Sequence, residues 1–321
     1  MTDLHTATGV LLLNLGGPEK PDDIRPFLFN IFSDRQIIRL GPAFLQPLIA
    51  WMIARGRAPK RAANYARIGG GSPILALTRA QARALEARLA AHGRYLVRPC
   101  MRYWHPCAEE AISELRAAGV QRLVALPLYP QYCSASTGSS LLALERALQE
   151  GPALPLTVIR AWPDQPEYVS ALARRVQEGL ASFAALGGKT RLLYSAHNLP
   201  KRLVDEGDPY VGDLGKTIAA LEQQTGQRGE LCFQSRSGPV AWFSPSTPEA
   251  IEKAAAEGVN NLLLLPISFV SDHVETLVEL DMEYRKLAEG LGMRYALARA
   301  LNDDPLFIEA LARLVLAAET A

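Results

Sequence analysis

Only four cysteines occur in 321 residues, at 100, 107, 133 and 232. None is spaced Cys-x-x-Cys, and the density is far below that of a disulfide-stapled secreted domain, so a reducing cytoplasm is expected. Charge of one sign is missing too: 34 basic residues face 33 acidic ones, a net of +1, which gives nucleic acid no overall electrostatic footprint. No apolar run approaches the roughly 20 residues that cross a bilayer. The start of the chain lacks a basic flank, and its apolar run Val10 to Leu13 ends in Asn14-Leu15-Gly16-Gly17-Pro18. That pattern reads as a strand entering a tight turn rather than a signal peptide. Nucleotide loops are absent as well. The glycine-rich stretches Leu15 to Pro18 and Ile68 to Pro73 match neither a Walker loop nor G-x-G-x-x-G. They read as turns where backbone approaches a neighbour or a ligand closely.

What the chain does contain is repetition. Glu110-Ala111-Ile112 leads through Gly119-Val120 to the run Leu123 to Leu128, and Glu249-Ala250-Ile251 leads through Gly258-Val259 to Leu262 to Ile267. Every element is offset by 139 positions, in the order helix, glycine, strand, proline. A looser match sets Leu11 beside Leu192, near an offset of 180. Two similar halves explain both matches if the first carries an insertion of about 40 residues, roughly 27–66, after its opening strand. Helical periodicity marks Thr78 to His92, Tyr168 to Ala185 and Pro305 to Ala318. Alternating strands and helices predict an α/β fold of two Rossmann-like domains with parallel sheets, about 1–165 and 166–321, facing each other across a cleft.

The insertion holds Ala43 to Ala54, with apolar residues at 44, 45, 48, 49, 52 and 53 and basic Arg55, Arg57, Lys60 and Arg61 behind them. One reading is an ordinary amphipathic helix with its greasy stripe buried. The other is a lip that covers an apolar ligand and rests on a membrane surface.

Two apolar runs break directly into histidine. Leu192-Leu193-Tyr194-Ser195-Ala196 ends in His197, and Leu262 to Val270 leads to Ser271-Asp272-His273-Val274-Glu275-Thr276. Open α/β sheets bind ligands at the carboxyl ends of their strands, so imidazole and carboxylate arrive where such a fold does chemistry. Burial should keep His197 neutral, able to accept a proton or ligate a transition metal. If an α-helix begins near Ser271, residues 272, 275 and 279 share a face. Either they form an acidic first turn that complements the helix dipole, or they continue through Glu279 and Asp281 as a ladder that relays protons. Met101 to Pro106 and Pro239 to Phe243 place aromatics near loops, as core packing or as walls for a flat conjugated ligand.

In order along the chain stand LNLGGP, YARIGGGSP, MRYWHP, YPQYCSASTGSS, LYSAHNLP with GDPY at 207–210, QSRSGPVAWFSP and LPISFVSDHVETLVELD. Together these motifs resemble the ferrochelatase family over essentially the whole chain. The resemblance implies two Rossmann-like chelatase domains, with the last helix packed back on the first. It implies insertion of ferrous iron, as substrate, into a porphyrin at the end of haem biosynthesis. His197 and Glu275 match the family's metal-binding pair; His273, Glu279 and Asp281 match the inner wall of its cleft. Leu15, Tyr65, Arg102, Tyr103 and Trp242 match porphyrin-pocket positions.

The hydrophobic insertion matches the membrane-facing lip of the protoporphyrin-using branch, which favours protoporphyrin IX over coproporphyrin and implies peripheral contact of 43–61 with the inner face of a membrane. No permanently bound cofactor is implied: the tail after Asn302 has no cysteine and Cys133 is one place off the cluster position, so a [2Fe–2S] cluster is not expected. A chelatase for another tetrapyrrole or metal and a non-catalytic haem carrier stay open alternatives at this point.

Overall fold

The computed structural model describes residues 7–236, 238 and 240–320. The extreme N-terminus and two positions of the QSRSGPVAWFSP motif, Ser237 and Pro239, lie outside the described residues. The chain divides into two compact units, Met1–Trp162 with Phe307–Ala321, and Pro163–Leu306.

The first unit is built on a parallel sheet ordered β2-β1-β3-β4, from β1 (Thr8–Asn14), β2 (Tyr95–Met101), β3 (Arg122–Pro127) and β4 (Leu156–Val158). All of β1 is buried, as a strand with the apolar run Val10 to Leu13 covered on both faces must be, and its polar ends Thr8 and Asn14 are hydrogen-bonded to Glu319 and Thr78. Truncating Leu11 or Leu13 to alanine there would cost roughly 2–5 kcal/mol. Helices α1 (Ile24–Ser33), α2 (Gln46–Ala66), α3 (Ile74–Leu89), α4 (Ala108–Ala117) and α5 (Ser139–Leu148) complete the layers, with a π-helical turn at Ser134–Gly138.

The second unit repeats the plan. After α6 (Pro166–Ala181), a parallel sheet is ordered β6-β5-β7-β8, from β5 (Thr190–His197), β6 (Glu230–Gln234), β7 (Asn261–Pro266) and β8 (Arg294–Leu297). Around it lie α7 (Lys201–Asp205), α8 (Tyr210–Thr225), α9 (Thr247–Ala256), a nine-residue π-helix at Glu275–Glu283 and α10 (Tyr284–Gly290). The last helix, α11 (Pro305–Thr320), contributes to the first unit: Phe307 packs against Trp162, and Glu309 pairs with Arg88 at 2.6 Å.

The offset of 139 carries α4 onto α9 and β3 onto β7 end to end. Strand register sharpens the looser match. Leu13 faces Pro127 as Ser195 faces Pro266, an offset of 182, so Leu11 corresponds to Leu193 rather than to Leu192. The correction is one residue, and it matters because a slip of one turns every side chain to the other face of the sheet.

Within the insertion, α2 buries the small residues Ala50 and Ala54 with Gln46, whose amide donates to the carbonyls of Phe32 and Ile38. Leu48, Trp51 and Met52 on this helix point out, 57 %, 42 % and 51 % exposed, as does Phe44 in the turn before it at 79 %. The greasy stripe is therefore not buried on the domain. Among the described residues, no helix is long and apolar enough to cross a membrane.

Candidate active site

β5 delivers His197 to the carboxyl end of the second sheet, where four contacts fix it. Its amide donates to Ser268 Oγ at 3.0 Å, and its carbonyl accepts from the Tyr210 hydroxyl at 3.1 Å. The ring meets Phe269 edge-on, and Nδ1 lies 3.1 Å from Glu275 Oε2. The tautomer that satisfies this last bond carries its proton on Nδ1, which puts the basic lone pair on Nε2. The side chain is 38 % exposed, so the ring is not buried as the apolar run before it suggested.

His273 lies near the same carboxylate oxygen, its Nε2 3.8 Å from Glu275 Oε2. Its Nδ1 lies 3.1 Å from the Ser271 carbonyl, and Phe269 packs on its ring at 4.3 Å. Burial opposes ionisation of Glu275, but the charges and hydrogen bonds of His197 and His273 outweigh it and hold the carboxyl well below its usual range. A carboxylate flanked by two imidazoles is a site that can take up protons or a cation.

The helix bearing these acids is not the α-helix expected from Ser271. The π-helix begins at Glu275, and its i→i+5 bonding packs more residues into each turn. Asp272 stays outside as a turn residue, accepting from Thr276 Oγ1 and Asn302 Nδ2. Asp281 is turned to Arg285, which it binds at 2.6 Å, so the ladder does not extend through it. Glu279 does belong to the neighbourhood, but as an anchor: it accepts from the Ser235 amide (3.0 Å), Ser235 Oγ (2.6 Å) and the Tyr284 hydroxyl (2.6 Å). Ser235 needs that anchor, because its φ of +66° is an unfavourable left-handed conformation for a residue with a Cβ. Trp242 lies on this unit too, half-buried, its indole donating to the Gly238 carbonyl at 3.2 Å.

Leu15, Tyr65, Arg102 and Tyr103 belong to the first unit. Leu15 is half-buried at the end of β1, and its carbonyl accepts from the Tyr103 amide at 3.0 Å. Tyr65 is buried in the last turn of α2. Tyr103 is only 2 % exposed and so offers no open wall; its hydroxyl donates to Asp34 at 2.7 Å. Asp34 also accepts from Arg102 Nη2 (2.7 Å) and Ser139 Oγ (2.5 Å). Burial opposes the charge on Asp34, yet the Ser139, Tyr103 and Gln36 bonds and the Arg102 guanidinium hold its carboxyl below the ordinary value. The two glycine loops close on each other rather than on an anion: the Ser72 amide donates to the Pro18 carbonyl, and a Cβ on Gly71 would fall 2.1 Å from the Glu19 oxygen.

Sequence reasoning missed Asp34, Ser268, Phe269, Ser235 and Tyr284. Ser268, Phe269 and Ser235 sit inside quoted motifs within three residues of a strand end, a signal that was legible. Asp34 stands 68 positions from the arginine it binds, with no local cue.

Comparison with known proteins places the whole chain in one family. A family model described as Ferrochelatase matches residues 7–319. The chain is 54 % identical to a ferrochelatase of Desulfotalea psychrophila over 310 residues, covering 96 % of each chain. It is 49 % identical to a ferrochelatase of Geobacter metallireducens over 311 residues, covering 96 % of this chain and 97 % of that one. Among solved structures, SirB from Bacillus subtilis with Fe3+ superposes with a TM-score of 0.54 at 14 % identity, covering 75 % of this chain and 89 % of that one. A multi-domain protein from Deinococcus radiodurans with structural similarity to chelatases gives 0.52 at 17 % identity, covering 97 % of this chain and 54 % of that one. At such identities the structural likeness speaks for the fold.

Proposed function

The chain belongs to the ferrochelatase family, and from that premise we propose that it inserts ferrous iron into protoporphyrin IX to give protohaem, the last step of haem biosynthesis. The enzyme is a metal chelatase that places iron in a porphyrin. The observation that carries our reading of the site is the His197 Nδ1–Glu275 Oε2 contact of 3.1 Å at the end of β5.

Metallation removes two pyrrole N–H protons. His197 Nε2 accepts one, releases it to solvent from its exposed ring and then accepts the other, and ionised Glu275 stabilises the imidazolium that forms each time, in the same way that a carboxylate orients a general base. His273, held by the Ser271 carbonyl, completes a donor set of two imidazoles and a carboxylate suited to a ferrous ion as substrate. Glu279 acts through Ser235 and Tyr284, keeping the strained turn after β6 in place. Leu15, Arg102 and Trp242 contribute to porphyrin binding, with Asp34 holding Arg102 in position and the buried Tyr103 bracing Asp34.

The exposed apolar face of α2 supports protoporphyrin over its more carboxylated relatives. Phe44, Leu48, Trp51 and Met52 stand open, and the Arg25 and Arg55 guanidinia lie over the Trp51 ring at 5.3 and 5.7 Å. Such a face suits a substrate that partitions into lipid, and basic residues beside it add about 1 kcal/mol each near an anionic surface. Anaerobic mixing with ferrous iron and either protoporphyrin IX or coproporphyrin III, followed by absorption, is the test. We expect the higher kcat/KM with protoporphyrin. A preference for coproporphyrin would overturn the substrate assignment, and binding without metallation would reduce the chain to a carrier.

A further inference from the structure

In the first unit, a second group of metal-ligating side chains has no part in the chemistry above. His105, Cys107 and Glu110 each bring one ligand atom, and these atoms all lie within 4.8 Å of one another. Helix capping accounts for part of the arrangement. The Cys107 amide donates to Glu110 Oε2 at 2.8 Å, the reciprocal bond of a capping box at the start of α4.

The repeat shows what capping alone requires. Counting 139 positions on, Cys107 and Glu110 correspond to Ser246 and Glu249, which form the same box at the start of α9. There the cap is a hydroxyl, a preferred N-cap group, and position 244 is serine. The first unit puts a thiol in place of the hydroxyl and an imidazole at 105, although neither improves the cap. Both additions are soft or borderline metal donors. Cys107 is also the only cysteine among the described residues that is not buried.

We propose that His105, Cys107 and Glu110 form a binding site for a borderline-soft divalent transition-metal ion of the zinc type. His105 Nδ1 already lies 3.0 Å from Glu110 Oε1 and 2.9 Å from Oε2. A tetrahedral ion needs its ligands about 3.4–3.7 Å apart given metal–ligand bonds of about 2.0–2.3 Å, so this pair must open by about half an ångström. Oε1 can take the metal while Oε2 keeps the cap. The imidazole proton moves from Nδ1 to Nε2 on the exposed side of the ring, and the thiol proton leaves to solvent as the Cys107 sulfur binds. His105 and Glu110 are 65 % and 48 % exposed, which leaves room for water as a fourth ligand.

The test is an anaerobic titration of the full chain with Co2+ alone. We expect one equivalent to bind with a thiolate-to-cobalt charge-transfer band in the near ultraviolet. The His197–Glu275 site has no sulfur and cannot produce that band. Cys107→Ser, which installs the cap residue of α9 and so preserves the helix, should abolish it. His105→Ser should weaken binding at least about tenfold, the smallest effect seen even for residues one shell further out. His197→Ala should leave the band unchanged. Absence of the band in the wild type at millimolar Co2+, its survival in Cys107→Ser, or its loss in His197→Ala would each overturn the assignment.

Discussion

The register that sets Leu13 against Pro127 in the first unit sets Ser195 against Pro266 in the second, so Leu15 stands where His197 stands. Counting the other offset, 139, Ser134, Ser136 and Ser140 fall where His273, Glu275 and Glu279 fall, and both units turn into a π-helix just there. One supersecondary plan thus offers the same strand end and the same wide turn twice. Only the second copy fills them with imidazole and carboxylate. The first fills them with leucine and serine and gathers Arg102, Tyr103 and Ser139 on Asp34. The fold supplies the places, and side-chain chemistry decides which copy can move protons.

The largest effect should come from His197→Ala. Loss of a positioned base lowers kcat by about 10²–10⁴-fold, while porphyrin binding, read by fluorescence quenching, persists. Adding Leu15→His to that variant should restore nothing, because no carboxylate of the first unit matches Glu275; recovered turnover would break the asymmetry drawn here. Glu275→Gln should lower kcat by about 10–100-fold, the usual cost of removing the partner that orients and charges an imidazole. If His197→Ala and Glu275→Gln were equally inactive, the pair would have to act as one coupled unit.

Glu279→Gln should cost about tenfold in kcat or less, because its bonds go to Ser235 and Tyr284 rather than to His197. Pairing it with Ser235→Gly, which suits a φ of +66°, should recover part of the loss. No recovery would mean that Glu279 acts on the chemistry directly.

In the first unit, Asp34→Asn should lower stability by about 3 kcal/mol in denaturant titration and raise KM for porphyrin more than it changes kcat. The folded-state carboxyl of Asp34 titrates below its ordinary 3.8. Its contribution to stability is therefore complete above that value and disappears as pH falls through the lower folded one. Wild type should then lose more stability than Asp34→Asn as pH falls below the ordinary 3.8. Parallel acid curves would remove the ion pair from the account. The smallest effect is expected at α2: Leu48→Glu with Met52→Glu should weaken flotation with anionic vesicles and raise KM for protoporphyrin a few-fold, about 1 kcal/mol. Failure of the wild type to float at low salt would leave the exposed face as a lid only.

The amino-acid sequence by itself determined the doubling of the chain, because a helix, a glycine and a buried apolar strand leave a periodic trace at short range and the trace recurs at 139 positions. It also determined that His197 ends a strand and that His273 and Glu275 follow another, since apolar runs stop where the chain leaves the core. Tertiary structure decided what local pattern cannot hold. Whether Ser271 to Glu283 winds as α or π depends on which turn lets Glu275 meet His197, 78 positions away. The face of α2 that remains outside depends on whether α1 accepts alanine or leucine against it. And Asp34 becomes the partner of Arg102 only when β2 and the end of α1 are brought together, because a buried carboxylate must find a cation in space, and nothing at short range along the chain says which one.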